Sequence, residues 1–134
     1  MERPFVIALP TADRVRAHAF HTEGLGLEAV GEPAEDGVPE PLQLRLGADV
    51  HLMLIPRGGF GWVTDPHPTA APGTSECQLS WTVPTRAGVV AAVERARAAG
   101  ARVVAEPDDR PWGYAATFAD PDGHLWMVLT PPEA

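Results

Sequence analysis

The residues best suited to acid–base or metal chemistry in this chain are its five histidines, of which His51 is placed most suggestively. His51 lies in the apolar run Val50–Ile55, where strand alternation puts its side chain on the same face as that of Met53. An imidazole in that position can act as a general base or as a hydrogen-bonding part of a binding surface. The sequence favours the second interpretation and leaves the first open.

The remaining reactive side chains are weaker candidates. His124 follows a tight turn and points away from Met127, which favours a structural role, and the other three histidines lie on a predicted helix or in a loop. Glu76 could act as a base or bind a cation, but an exposed loop end is the simpler interpretation. Cys77 has no basic neighbour that would lower its pKa, so nothing supports a nucleophilic role. The sequence also lacks a glycine-rich phosphate loop, a Ser-His-Asp order and a zinc-ligand spacing.

The element that must position Met127 is a hairpin near the C-terminus. The tetrapeptide Asp120-Pro121-Asp122-Gly123 predicts a tight turn, with Pro121 at its second position and Gly123 in the left-handed conformation. In the strand that follows, Trp126 and Val128 share one face, and Leu125, Met127 and Leu129 share the other. Neither face is polar, so we expect both to be covered.

The chain reads as two copies of one βαβββ unit. The first copy has predicted strands at 5–9, 27–30, 42–46 and 50–55 with a helix at 12–23 capped by Thr11, and the second repeats this plan from Cys77 with a helix at 86–99. A register of 74 residues aligns several landmarks, among them Pro10 with Pro84 and Met53 with Met127. These matches favour an internal duplication over a chance echo. The predicted division is a single domain over 1–134, with modules 1–56 and 77–134 and a proline- and glycine-rich linker at 57–76.

Composition excludes several classes of protein. The formal charge of −8 argues against a nucleic-acid surface, and no apolar run is long enough to span a membrane. The single cysteine excludes an internal disulfide, and the N-terminus does not resemble a signal peptide, so we expect a cytoplasmic protein.

The chain resembles the vicinal oxygen chelate superfamily, which includes glyoxalase I, bleomycin-resistance proteins and extradiol dioxygenases. The resemblance is carried by Leu9–Asp13, by Ala19–His21 with Gly24–Leu27, and most specifically by Phe118–Trp126; His21 stands where a tyrosine is usual. It implies an α+β fold in which two tandem βαβββ modules form cupped mixed sheets around a cavity. It also implies a homodimer.

Metal-dependent members of that superfamily take their ligands from the first and last strands of each module. The resemblance places these positions at Val6, Met53, Ser80 and Met127, and a register slip of two residues would bring in His51 and Gln78 instead. Valine has no donor atom, thioethers prefer soft metals and a neutral serine is a poor ligand. We therefore expect neither a metal nor another cofactor.

The predicted cavity suits a small molecule. If the register holds, strand alternation directs Val6, His51, Met53, Ser80 and Met127 towards it, a mostly apolar lining with a few polar groups. Methionine side chains adapt to irregular shapes and contact aromatic rings favourably. Three further aromatic residues either cover the mouth as a lid or fill core or dimer contacts: Phe60, Trp62 and Trp112.

Three functions remain distinguishable. The leading one is a metal-free protein that binds an apolar or aromatic small molecule, with antibiotic sequestration as one physiological use. The alternative is a glyoxalase- or dioxygenase-type enzyme, either metal-dependent with other ligands or a metal-free lyase or isomerase using His51 or Glu76. A structural or regulatory partner protein is the third, and no sequence feature favours it.

Overall fold

The computed structural model describes residues 5–132. In chain order, its strands are β1 (Phe5–Thr11), β2 (Glu28–Val30), β3 (Leu42–Gly47), β4 (Val50–Pro56), β5 (Gln78–Thr82), β6 (Arg102–Arg110), β7 (Gly113–Ala119) and β8 (Leu125–Thr130). Its helices are α1 (Arg14–Ala19), which continues into a π-helical turn (Phe20–Gly24), α2 (Arg57–Thr64) and α3 (Arg86–Ala98). No helix within the described range is long and apolar enough to cross a membrane.

The chain forms two compact units, residues 1–70 and 71–134. Unit 1 contains one four-stranded sheet in the order β1-β4-β3-β2, and unit 2 contains another in the order β5-β8-β7-β6. β1 runs parallel to its neighbour β4, and β5 runs parallel to its neighbour β8. The remaining neighbouring strands are antiparallel. The predicted tandem βαβββ architecture is therefore confirmed.

Unit 1 buries one face of its sheet beneath the first helix. Alternate residues of β3 and β4 are almost fully shielded from solvent, and Ala17 and Phe20 of the helical segment are buried as well. The shielded strand residues are Leu42, Leu44, Leu52 and Leu54. They are spaced two apart within each strand, as expected when one face of a sheet packs on a core and the other does not.

Unit 2 repeats this arrangement with α3. Val89, Val93 and Ala96 recur at helical spacing and are fully buried, as the sequence predicted. On the face of the sheet that packs against α3, Trp81 makes edge-to-face contacts with Phe118 and Trp126, at centroid separations of 6.1 and 6.0 Å. The hydrophobic effect thus holds α3 against the face of β8 that carries Trp126.

The C-terminal hairpin has the predicted turn. The N–H of Gly123 donates to the carbonyl oxygen of Asp120 at 2.8 Å, and Gly123 adopts a positive φ of 87°. The predicted alternation of β8 is also confirmed, since Trp126 and Val128 are buried while Met127 is half-buried.

Three local predictions were wrong. Asp13, not Thr11, caps the first helix, because its side chain accepts a hydrogen bond from the N–H of Arg16. β6 extends to Arg110 rather than ending at Ala105, since it stays paired with β7 across two register shifts. The segment 57–76, which shows no period, nevertheless contains α2. The division between the two units falls within this same segment.

Candidate functional site

The face of each sheet turned away from its long helical segment is called here the distal face. In unit 1, the distal face carries two adjacent cross-strand rows. The first row contains Val6, His51 and Arg45, which are direct partners across β1, β4 and β3. The second row contains Ala8, Met53 and Gln43. The structure therefore places three predicted site residues, Val6, His51 and Met53, on one surface.

Polar contacts cluster at one end of this surface. The Nδ1 atom of His51 lies 3.1 Å from Oε1 of Gln43, and Nε of Arg45 lies 3.5 Å from a carboxylate oxygen of Glu28 on β2. Towards the other end, Met53 is followed two residues later by Ile55, and both are half-buried. The distal face of unit 1 thus grades from polar to apolar along β4.

The distal face of unit 2 is apolar along β8 and polar along its edge strand β5. Met127 is flanked by Ser80 on β5 and by Thr117 on β7, and Leu125 and Leu129 lie on either side of it along β8. Met127 is half-buried, whereas Ser80 is exposed on its edge strand. Gln78 and Thr82, the β5 partners of Leu125 and Leu129, lie on the same face. Together with the two hydroxyl groups beside Met127, they provide hydrogen-bonding groups next to the apolar side chains of β8.

No single sequence offset relates the equivalent strand positions of the two units. Met127 lies 74 positions after Met53, but its β5 partner Ser80 lies 72 positions after Ala8, the β1 partner of Met53. Ala8, not Val6, is therefore the counterpart of Ser80. By the same pairing, the counterpart of Val6 is Gln78. The uniform 74-residue register was wrong for the first strand of the repeat.

The corrected positions also fail to suit a divalent metal. The paired strand positions carry a methyl group at Ala8, a hydroxyl at Ser80 and thioethers at Met53 and Met127. These groups do not supply the imidazole, carboxylate or amide donors that hard divalent ions require. Elsewhere in residues 5–132, no three histidine, cysteine, aspartate or glutamate side chains converge as a metal-binding group.

Two of the three predicted lid residues, Trp62 and Trp112, are exposed, whereas Phe60 is half-buried. Phe60 and Trp62 lie on α2, and the side chain of Trp62 is 82% exposed. Trp112, in the turn between β6 and β7, is 53% exposed. α2 contacts β1 and β4, and a methyl group added at Gly59 would lie 3.3 Å from Ile55. Helix α2 therefore borders the apolar end of the distal face of unit 1.

The other histidines are not on the distal faces. His21 is fully buried beneath the sheet of unit 1, with its Nδ1 atom 2.7 Å from the carbonyl oxygen of Ala17. The backbone N–H of His124 donates to Oδ1 of Asp120 at 3.0 Å, as part of the hairpin turn.

Gln43, Arg45 and Glu28 were not predicted as site residues. The strict alternation of Leu42–Leu46 already places Gln43 and Arg45 on one face, so the signal was in the sequence. What the sequence lacked was the pairing of β3 with β4, which brings Gln43 within reach of His51.

Comparisons with known proteins agree on one family. The family model described as the Glyoxalase/Bleomycin resistance protein/Dioxygenase superfamily matches residues 4–128. A search of curated proteins found no significant match.

Several solved structures share the fold. A glyoxalase-related enzyme from Fulvimarina pelagi superposes with a TM-score of 0.81 at 26% identity, covering 98% of this chain and 90% of its own. TnmS3, an antibiotic binding protein from Streptomyces sp. CB03234, gives a TM-score of 0.65 at 26% identity, with 98% of both chains covered. A hypothetical protein from S. aureus gives a TM-score of 0.81 at 24% identity, covering 97% of this chain and 94% of its own.

Proposed function

Because the chain belongs to the glyoxalase/bleomycin resistance protein/dioxygenase superfamily, we propose that it binds an apolar or aromatic small molecule without using a metal. The proposed contacts are residues of the distal faces, together with the aromatic side chains of α2 and the β6–β7 turn. By residue, they are Val6, His51, Met53, Phe60, Trp62, Ser80, Trp112 and Met127. Antibiotic sequestration is one physiological use of such binding.

The observation that carries this proposal is the chemistry of the distal faces. Met53 and Met127 occupy equivalent positions in β4 and β8, where each is half-buried and flanked by small side chains or polar ones. A thioether at a central strand offers a polarisable, adaptable surface, and each contact of its sulfur with an aromatic ring contributes about 0.3–1.5 kcal/mol. Binding of this kind removes apolar area from water and needs no reacting group.

The similarity to TnmS3 also supports the proposal of small-molecule binding. That protein is an antibiotic binding protein, and its 26% identity extends over 98% of both chains. Sequestration requires affinity alone, which suits a site whose strand positions lack metal-binding donors.

An enzymatic function is the second candidate, favoured by the similarity to the glyoxalase-related enzyme from Fulvimarina pelagi. In this alternative, His51 or Glu76 would act as a base, or a metal would bind through other donors. Elemental analysis of the dialysed protein separates the two candidates. We expect no stoichiometric metal, whereas one equivalent of Ni, Zn, Fe or Mn per chain would overturn the metal-free proposal.

Binding is tested with 2-methoxynaphthalene, a neutral aromatic probe, in equilibrium dialysis against the purified protein. We expect saturable binding that is weakened at least about tenfold by Met53→Arg or Met127→Arg, because each places a charge against an apolar ligand. Val90→Arg is the matched control, since Val90 is exposed on α3, away from the distal face. Equal binding by all three variants and the parent protein, or no saturable binding of either this probe or its hydroxyl analogue 2-naphthol, would overturn the proposal.

We also propose that the protein acts in the cytoplasm as a homodimer. Cys77 is an exposed free thiol, which a reducing compartment preserves.

A further inference from the structure

The hydrogen bond between His51 and Gln43 fixes which imidazole nitrogen can meet a ligand. Oε1 of Gln43 lies 3.1 Å from Nδ1 of His51, and an amide oxygen can only accept a hydrogen bond. With the Gln43 amide in this orientation, Nδ1 carries the proton. In a neutral imidazole the other nitrogen, Nε2, then has a free lone pair and acts as an acceptor.

The charged side chain beside His51 already has a counter-ion. Its cross-strand partner Arg45 is the nearest cation on the row, and Nε of Arg45 lies 3.5 Å from the Glu28 carboxylate. Val6, the partner on the other side, is apolar. This environment favours a neutral hydrogen-bond donor over an anion, because an anion would have to compete with Glu28 for Arg45.

The neighbouring row offers a surface for an aromatic ring. Met53 lies two residues beyond His51 on the same face, between Ala8 and Gln43. Ala8 is small and exposed on the edge strand β1, and the thioether of Met53 makes favourable contact with ring edges. A ring packed on Met53 would bring its substituent to the strand position of His51.

From these three observations we propose that His51, positioned by Gln43, accepts a hydrogen bond from the ligand. The ligand class is accordingly a neutral aromatic molecule that carries a hydroxyl or N–H donor, such as a phenol. This inference rests on the proposed binding function and narrows it. Here His51 is the contact residue and Gln43 is a positioning residue that holds the tautomer.

The test compares three probes that share one ring system and differ in the group presented to His51: 2-naphthol, 2-methoxynaphthalene and 2-naphthoate. We expect 2-naphthol to bind about fivefold more tightly than the methyl ether, the effect of one neutral hydrogen bond. The anionic 2-naphthoate should bind no more tightly than the ether. Dissociation constants come from isothermal titration calorimetry.

Variants assign the preference to its residues. His51→Phe keeps an aromatic ring but removes the acceptor, so it should abolish the preference for 2-naphthol while retaining binding of the ether. His67→Phe is the matched control, because His67 lies in an exposed loop, and its preference should equal that of the parent protein. Gln43→Leu should reduce the preference, and Gln43→Glu should restore it, since a carboxylate also accepts from Nδ1.

The possible results distinguish a failure of this inference from a failure of the proposed small-molecule binding function. Equal binding of 2-naphthol and the ether by the parent protein, or a preference that survives His51→Phe, overturns the inference and leaves the binding function standing. Tightest binding of 2-naphthoate overturns the neutral-donor class. Binding of none of the probes overturns both proposals. If His51→Phe fails to fold by circular dichroism, the probe comparison and the Gln43 variants decide.

Discussion

Asp120 anchors the C-terminal hairpin through a buried carboxylate. Its Oδ1 atom accepts hydrogen bonds from the backbone N–H groups of Asp122 and His124, each at 3.0 Å, and its Oδ2 atom accepts from Nε1 of Trp126 at 3.2 Å. These bonds tie the turn to β8, the strand that carries Met127. The Asp-Pro-Asp-Gly sequence therefore has a structural purpose beyond closing the turn.

Asp120→Ala should lower the free energy of unfolding by about 3 kcal/mol, because it leaves buried N–H donors without their acceptor. Asp120→Asn should cost less, since its amide oxygen can still serve the two backbone N–H groups. Urea denaturation measures both variants. Equal stability of Asp120→Ala and the parent protein would contradict this role for the carboxylate.

At the scale of elements, two exposed ion pairs connect helices to the segments beside them. Arg14 of α1 donates to Asp36 at 2.8 and 2.9 Å, and Arg86 of α3 makes a similar bidentate contact with Asp109 of β6 at 2.9 Å. The Arg86 guanidinium also lies 4.1 Å from the ring centroid of Tyr114. Hydrogen bonds from the arginines lower the pKa of the Asp36 and Asp109 carboxyl groups.

Because these two carboxyl groups have lowered pKa values in the folded protein, the protein loses stability as the pH falls. The unfolded carboxyl groups titrate near their ordinary value of 3.8, so this contribution is complete above that pH and is lost as the pH falls below it. The difference in unfolding free energy between pH 5 and pH 3 should therefore be smaller in the double variant Asp36→Asn/Asp109→Asn. Urea melts at the two pH values measure it, and Glu32→Gln/Glu35→Gln, at exposed positions, is the matched control. An unchanged difference would contradict the prediction.

Helix α2 forms despite three glycines among its eight residues. Gly58 and Gly61 have open space where a Cβ atom would lie, and neither has a positive φ. Gly58→Ala and Gly61→Ala should each stabilise the protein by about 0.4–1 kcal/mol, because alanine restricts the unfolded chain and suits a helix better.

Gly59→Ala is the matched comparison for these two variants. Its Cβ atom would approach Cγ2 of Ile55 to 3.3 Å, so the gain should be smaller or reversed. Thermal denaturation followed by circular dichroism ranks the three variants. A destabilising effect of Gly58→Ala and Gly61→Ala would show that α2 needs its glycines.

At the scale of the whole molecule, apolar side chains remain exposed on an edge strand. β1 is the outer strand of its sheet, and Phe5 and Val6 at its start are 70% and 46% exposed. Edge strands and exposed apolar residues favour association with another chain.

We predict a homodimer with about twice the 14.3 kDa mass of one chain, measured by size-exclusion chromatography with light scattering. Phe5→Glu should shift the equilibrium towards monomer, because it places a charge at this edge. Val90→Glu, on the exposed side of α3, should leave the mass unchanged. A parent protein that stays monomeric at the highest protein concentration measured would contradict the prediction.

The sequence alone determined the features that depend on neighbouring residues. Alternation in β8 separated Met127 from Trp126, helical spacing identified the buried side of α3, and the Asp-Pro-Asp-Gly turn located the final hairpin. The two βαβββ units followed from repeated local patterns of this kind. Each of these signals spans a few residues, so backbone periodicity suffices to read it.

Tertiary structure decided the matches between strands that are distant in sequence. The helix N-caps Asp13 and Thr85 lie 72 positions apart, whereas the positive-φ glycines Gly26 and Gly100 lie 74 apart, so unit 2 has two extra residues in its helical segment. That difference shifts the first strand and makes Ala8 the counterpart of Ser80. The pairing of β1 with β4 also placed Val6 beside His51, and the pairing of β3 with β4 placed Gln43 beside Met53. Such a register is set by how whole strands and helices pack, which no local pattern records.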